Sequence, residues 1–289
     1  MSQATLLDPR QFLARKSFIE LNARERAQAL LDEGTYRELL GPFDRVESPW
    51  LPMQGVVPQA DDGVIVARGR LGGKDSVILA IEGKFQGGST GEVSGAKISA
   101  TLDLAQENAK RGRPVQVVLL LETGGVRLQE ANLGLEAIAE INSSLVALRQ
   151  HVPVVGLIAG MVGCFGGMSI TASLCSYLIM TREARLGLNG PEVIEEMSGI
   201  EEFDARDRQL IWGVNGGEQR HATGFADDLV EDDVEAIKKC IIEAFGRGIP
   251  SRHCSEQVDE YLKRLAAIDV SDQLESSEMR NLGWKEGPR

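Results

Sequence analysis

Two glycine pairs, each following a short apolar run and each opening a stretch with helical periodicity, constrain this chain more than any other feature. One lies in Glu122-Thr123-Gly124-Gly125-Val126-Arg127-Leu128-Gln129-Glu130, the other in Gly163-Cys164-Phe165-Gly166-Gly167-Met168-Ser169. At a strand-to-helix turn, a glycine pair lets the backbone come close to a ligand. The first free N–H groups of the following helix then point at whatever oxygen sits in front of them. Two such turns facing one pocket would form an oxyanion hole. The bland alternative, that the glycines serve only tight strand-helix packing, is weakened by their recurrence in successive units and by the arginine just after the first.

The rest of the chain fits around that pattern. Residues 64–70 and 76–81 are apolar runs joined by Gly72-Gly73-Lys74-Asp75, which predicts a β-hairpin. Further strands are predicted at 115–121, 153–159, 177–180 and 184–188. Helices are predicted from Asn22, an N-cap with Glu25 three residues on, to about 32; for one or two turns over 34–40; from 92 to 111, with Ile98, Leu102 and Ala105 buried; up to 149; through 173; from Asn189-Gly190-Pro191-Glu192; and over 233–245. Three prolines between 47 and 58 favour an extended connection. Mostly parallel strands alternating with helices make an α/β fold whose repeated unit is strand, strand, helix. The expected division is a leader over 1–21, loose over its first sixteen residues, a domain over 22–248, and a C-terminal helix with a mobile tail over 249–289.

With 289 residues and 43% hydrophobic content the chain is globular. No apolar run approaches the length of a membrane span, and residues 1–15 lack the apolar core of a signal peptide, so a cytoplasmic location is expected. A net charge of -12 argues against nucleic-acid binding, although a few local lysines or arginines can still serve a phosphate-bearing ligand. Cys164, Cys175, Cys240 and Cys254 have no zinc-ribbon spacing and are expected to be free thiols. His151, His221 and His253 have no ligand spacing, so no metal site is expected, and no Ser or Cys sits in a G-x-S-x-G elbow.

Four motifs in order, Gly87-Gly88-Ser89, Thr123 to Glu130, Gly166-Gly167 and Gly190-Pro191-Glu192-Val193-Ile194, resemble the carboxyltransferase branch of the crotonase-like superfamily, which includes the β subunits of acetyl-CoA and propionyl-CoA carboxylases. The resemblance covers roughly residues 22 to 248. Through Leu188 to Glu195 and Glu202 to Trp212 it is most similar, within that branch, to the β subunits of biotin-independent malonate decarboxylases. It lacks the four-cysteine zinc ribbon of the bacterial acetyl-CoA carboxylase β subunit and has only one crotonase-like half. The resemblance implies a crotonase-like ββα superhelix. It also implies a malonyl thioester on an acyl carrier protein, carried by a phosphopantetheine-type phosphoribosyl-dephospho-CoA group, that loses CO2 to give the acetyl thioester. No biotin and no metal are implied. The implied partners are a homologous γ subunit forming a heterotetramer, the acyl carrier protein subunit and an acyl-carrier transferase subunit.

Loss of CO2 from such a thioester places negative charge on the thioester oxygen, which backbone N–H groups can hold without a metal or an organic electron sink. Gly166 and Gly167 are the expected first donors, with Gly125 and Val126 lining the same pocket. Gln86, Gly88 and Ser89 are expected on the thioester side, and Gly190 where helices open towards the ligand and the partner. Lys97 and Arg127 are candidates either for the ligand's phosphates or for the frame of helix and loop. Three other classes remain: a biotin-dependent carboxyltransferase using the same hole, a non-catalytic scaffold, and a crotonase-type hydratase. The last would need paired carboxylates at the pocket turns, and the turn from Gly163 to Ser169 has none.

Overall fold

The computed structural model describes residues 15–269 and 275–280. The N-terminal helix α1 (Ala23–Leu30) starts at the expected cap: Asn22 Oδ1 accepts from Glu25 N–H at 3.0 Å, and Asn22 N–H donates back to the Glu25 carboxylate at 2.9 Å. The hairpin is β2 (Val64–Leu71) and β3 (Lys74–Ile81), closed by Gly72 and Gly73. Then come α2 (Glu92–Lys110), β4 (Gln116–Leu120), α3 (Asn132–Leu148), β5 (Val154–Ile158), α4 (Gly167–Leu174) and β6 (Tyr177–Thr181). Three short helices, α5 (Pro191–Ser198), α6 (Arg208–Asn215) and α7 (Gly217–Ala222), precede β7 (Asp228–Val230), α8 (Val234–Gly246) and α9 (Val258–Ala266).

With β1 (Arg37–Leu39), the strands form one seven-stranded sheet in sequential order; β1 to β3 pair antiparallel, and β3 to β7 run parallel. Strand alternation divides the core between its two faces. Val66, Leu79, Leu119 and Val154 pack with Ile98 and Leu102 of α2, Ile141 and Leu145 of α3 and Met168 of α4. Ile65, Ile78, Val118 and Val155 pack with Phe18, Leu30 of α1 and Ile237 and Ile241 of α8.

A second, smaller layer lies at the carboxyl ends of the strands. Its rungs are isolated β-bridges, Thr90 to Val126, Thr123 to Cys164, Cys164 to Leu186 and Arg185 to Gly216. This layer supplies the second strand of each strand-strand-helix unit, and the fold is the crotonase-like α/β fold expected from the sequence. The strand predicted at 184–188 is reduced here to its bridging residues, Arg185 and Leu186.

Three expectations are corrected. Residues 34–40 do not form helical turns: Arg37 to Leu39 pair with Arg68 to Val66, and Arg24 draws the Glu38 carboxylate in through bonds of 2.7 and 2.8 Å. Pairing along the open edge of β2 overrides local helix preference. Of the sixteen residues expected to be loose, Lys16 is held, its N–H donating to the Asp233 carboxylate at 3.0 Å, and just after it the Asp232 carboxylate accepts from Ser17 Oγ and from the N–H groups of Phe18 and Ile19. Residues 1–14 lie outside the described residues. Within the expected tail, Ser276–Arg280 form a helix, α10, against α6 and α7, with Arg280 paired to Glu218; residues 270–274 and 281–289 lie outside the description. No helix among the described residues is long and apolar enough to cross a membrane.

Helix α1 is fixed to the sheet by charge as well as packing. The buried Arg26 guanidinium pairs with the Glu122 carboxylate just past β4, while its other nitrogens donate to the carbonyls of Phe18 and Ile19 at 3.1 and 2.8 Å. Removing one partner of a buried pair strands the other's charge. Arg26→Met should therefore lower stability by about 3–5 kcal/mol, read as a reduced urea midpoint, and adding Glu122→Gln should recover much of that loss.

Candidate active site

The two glycine turns lie against each other where β4 and β5 end. Thr123 N–H donates to Gly163 O at 2.8 Å, and Phe165 N–H to Thr123 O at 2.9 Å, so the second layer joins them directly. Gly125 and Gly166 meet with almost no space between: a Cβ built on Gly125 would lie 3.0 Å from the Gly166 Cα, and one on Gly166 would lie 3.1 Å from the Gly125 Cα. Both have positive φ, +107° and +59°, so a side chain there would be strained as well as blocked.

Most of the amides in the turns are already committed. Gly124 N–H donates to Gly87 O, Gly125 N–H to Thr123 Oγ1, Arg127 N–H to Thr90 O, Cys164 N–H to Arg185 O and Gly166 N–H to Leu188 O, all between 2.8 and 3.0 Å. No described residue accepts from the N–H of Val126 or from that of Gly167 at the start of α4. The expectation for Gly166 is corrected accordingly: its amide is engaged, and it serves the site by letting the turns touch, as Gly125 does. Val126 and Gly167, each next to one of the touching glycines, are left as available donors. A side chain on Gly167 would meet Ile138 of α3 at 3.0 Å, so a substitution there acts through helix packing.

The loop over 85–91 covers the first turn. Gly88 lies so close to the Glu122 carbonyl that any Cβ would collide with it, and Ser89 Oγ donates to Gln86 O at 2.7 Å. Gln86 has a positive φ of 51° and a half-buried side chain beside Gly87. Gly190 caps α5, and Leu188, two residues before it, is the acceptor for Gly166. The structure thus gathers Gln86, Gly88, Ser89, Gly125, Val126, Gly166, Gly167 and Gly190 at one end of the sheet.

Arg127 and Lys97 belong to the frame. The Arg127 guanidinium is fully buried, 2.7 Å from Asp62 and 2.9 Å from Glu130, donates to Ser89 O at 2.9 Å and lies over the Phe85 ring. Glu130 also takes the Glu92 N–H at 2.6 Å and Asp62 the Ser94 N–H at 2.8 Å, so one cation locks the first turn to the start of α2. Burial pushes the Asp62 carboxyl above its ordinary value, against the pull of Arg127. Lys97, whose pKa burial lowers, donates Nζ to the carbonyls of Asp61, Val64 and Leu40. Of the two roles open to both residues, the contacts seen here are those of the frame: both side chains are buried and spend their bonds inside the protein. Sequence reasoning missed Asp62 and Arg26, whose only local signal was an Asp-Asp-Gly turn before β2 and an arginine inside a helix.

Cys164, inside the second turn, is fully enclosed, and burial pushes its thiol well above the usual range, which leaves it inert as a nucleophile. Trp50, Met53, Gln129, Ala131, Asn132 and Leu133 line a groove of about 390 Å³ beside the first turn.

Residues 20–260 match the carboxyl transferase domain family. The malonyl-S-ACP:biotin-protein carboxyltransferase of Malonomonas rubra is 44% identical over 234 residues, which cover 78% of this chain and 74% of that protein. A chain of a Pseudomonas malonate decarboxylase hetero-tetramer, solved in complex with malonate, superposes with a TM-score of 0.92 at 57% identity over 95% of this chain and 100% of that one. The methylmalonyl-CoA carboxyltransferase 12S subunit of Propionibacterium freudenreichii subsp. shermanii is 32% identical over 61% of this chain, a match that spans only 32% of that longer protein.

The reassignment of Lys97 is testable. Lys97→Met leaves buried carbonyls without a donor and should lower stability by about 2 kcal/mol. The affinity for a pantetheine thioester, followed by calorimetry, should stay within about threefold of wild type, under 1 kcal/mol; a larger selective loss of affinity would return Lys97 to the ligand site.

Proposed function

As this chain belongs to the carboxyl transferase family, we propose that it is the decarboxylating subunit of a malonate decarboxylase, acting on a malonyl thioester carried by an acyl carrier protein. One observation carries the reading: the Val126 and Gly167 amides stand uncommitted on two turns held in contact by Gly125 and Gly166. The identity to the Pseudomonas decarboxylase chain over nearly the whole length supports the choice within the family.

In the proposed reaction the thioester oxygen sits between those two N–H groups. The electron pair of the C–C bond moves through the α-carbon onto that oxygen, CO2 leaves, and a proton delivered from water to the α-carbon gives the acetyl thioester. The chain's own contribution is electrostatic. Two fixed dipoles meet the enolate charge as it forms, each worth about 2.7–4 kcal/mol of barrier by analogy with single-donor deletions. No side chain in the turns is required as a nucleophile or acid. The groove at Trp50 and Leu133 suits a narrow, partly apolar pantetheine-type arm.

A second reading draws on the Malonomonas relative, whose name includes a biotin protein as CO2 acceptor. The same enolate would form, and CO2 would pass to a biotin nitrogen of a partner. The partners in our reading are a homologous γ subunit, the acyl carrier protein and its transferase. The γ subunit would cover the face at Gly190, where Leu188, Val193, Met197 and Ile200 are exposed beside the turns.

Two measurements on the purified hetero-oligomer test these statements. Release of CO2 from the malonyl thioester is expected to be insensitive to avidin; its abolition by avidin would favour the biotin reading. Gly125→Ala should lower turnover at least 100-fold, about 2.7 kcal/mol, by separating the two amides, and activity within tenfold of wild type would remove these amides as the principal donors.

A further inference from the structure

With Arg127 and Lys97 committed to the frame, the charge that recognises an anionic substrate must come from elsewhere near the hole. In a malonyl thioester one methylene separates the carboxylate from the thioester carbon, so the recognising cation has to stand beside the glycine turns. Arg185 meets that condition. Its carbonyl accepts from Cys164 N–H at 2.8 Å, and Gly167 follows Cys164 after only Phe165 and Gly166. Its backbone is also in contact with the other end of the turn, since a Cβ on Gly163 would lie 2.7 Å from the Arg185 carbonyl.

The guanidinium carbon lies over two rings, 5.7 Å from the Phe165 centroid and 5.0 Å from that of Trp212. Trp212 is itself anchored by Nε1 to Glu183 O at 3.1 Å. Nη2 donates to the carbonyls of Met161 and Val162 at 2.8 and 3.3 Å, while Nε is enclosed and finds no acceptor among the described residues. Nη1 makes no hydrogen bond to a described residue either. Partial burial lowers its pKa and the nearby Glu192 carboxylate partly offsets that, yet no ion pair joins it to any described carboxylate. A half-buried arginine fixed in orientation, with donors left over and no described carboxylate at ion-pair distance, is suited to receive a planar anion.

We propose that Arg185, lying over the rings of Phe165 and Trp212, binds the carboxylate of the malonyl group and so selects malonyl over acetyl thioesters at the glycine-turn hole. This rests on the decarboxylase reading above and names the anion-recognising residue of the same site. Because the contact is made to the group that departs as CO2, it contributes to binding the substrate and is lost with the product. The product acetyl thioester therefore leaves without competition from this cation.

The test uses the purified hetero-oligomer and two ligands, sulfoacetyl-pantetheine, whose sulfonate replaces the carboxylate and cannot be lost as CO2, and acetyl-pantetheine. Calorimetry should show wild type binding the sulfoacetyl ligand more tightly. Arg185→Gln should weaken that ligand about 10- to 100-fold and leave acetyl-pantetheine unchanged, with Arg185→Lys between the two. Retained preference in Arg185→Gln, or equal loss for both ligands, overturns the assignment. Trp212→Leu removes one of the two rings without removing the guanidinium, and provides the same comparison if Arg185→Gln does not fold: a reduced preference supports the proposal and an unchanged one overturns it. Turnover of the malonyl thioester by wild type is scored separately, so a failure of the decarboxylase reading is distinguished from a failure of Arg185.

Discussion

The contact between Gly125 and Gly166 is the constraint on which the rest of the site depends. Two backbone turns from successive strand-helix units can aim amides at one point only if nothing projects between them, and a single methyl group on either would stand about 3 Å from the other's Cα. The surrounding structure holds that contact in register. Thr123 bonds the turns through both its backbone groups, and Leu188 and Thr90 bind them from outside. Each turn is also pinned by a buried carboxylate or cation: Glu122, paired with Arg26, accepts from Val162 N–H at 3.3 Å on the approach to the second turn, and Arg127 ties the first to Asp62 and Glu130. Buried ion pairs add little net stability compared with apolar packing, but their directional geometry fixes position. Here they stand where a loop, which has no ladder of its own, must be placed to within a few tenths of an ångström.

That division of labour explains what could be read from the sequence. The hairpin, the parallel strands and the long helices α2 and α3 were legible because apolar periodicity and caps act locally, and the glycine pairs were legible because a turn demands them. The short edge strand β1 was not, since residues 34–40 have helical composition and take strand form only by pairing with β2. The anchored residues 15–21 were hidden for the same reason: their partner, Asp232, lies more than two hundred residues away. Which amide of a glycine pair remains free is also a long-range property. Gly166 loses its N–H to Leu188 O, a bond that no local pattern announces. Charged residues were the least legible. Lys97, Arg127 and Arg185 are alike in sequence, and only the carbonyls, carboxylates and rings around each decide whether it braces the frame or faces a ligand.

The chain spans 32% of the 12S relative and 74% of the Malonomonas protein, and it contains one crotonase-like unit. Some of its exposed apolar residues lie beside the site. Leu188, Val193, Met197 and Ile200 follow one another along the segment that supplies the acceptor for Gly166, and Leu128 and Met161 flank the turns. An oxyanion hole gains strength from a dry, low-dielectric setting, because each N–H dipole acts more strongly where water does not compete. A surface that is apolar around its own amides is therefore suited to be closed by a second body, and the same closure would dry the hole.

The site's chemistry also limits where selectivity can reside. Backbone amides do not titrate and respond to any thioester oxygen alike, so a hole made from Val126 and Gly167 is indifferent to the acyl group whose oxygen it holds. Cys164, the one thiol within the turns, is enclosed and held neutral by burial. On the proposed reading, discrimination between a malonyl and an acetyl group would then come from side chains beside the hole, and it would act on a charge. Of the three cations near the hole, Arg127 and Lys97 spend their donors on buried carboxylates and carbonyls, whereas Arg185 lies over two aromatic rings with donors to spare. On the reading proposed above, rate would rest with the backbone and choice of substrate with one side chain, which separates two properties that a catalytic acid or base would have combined.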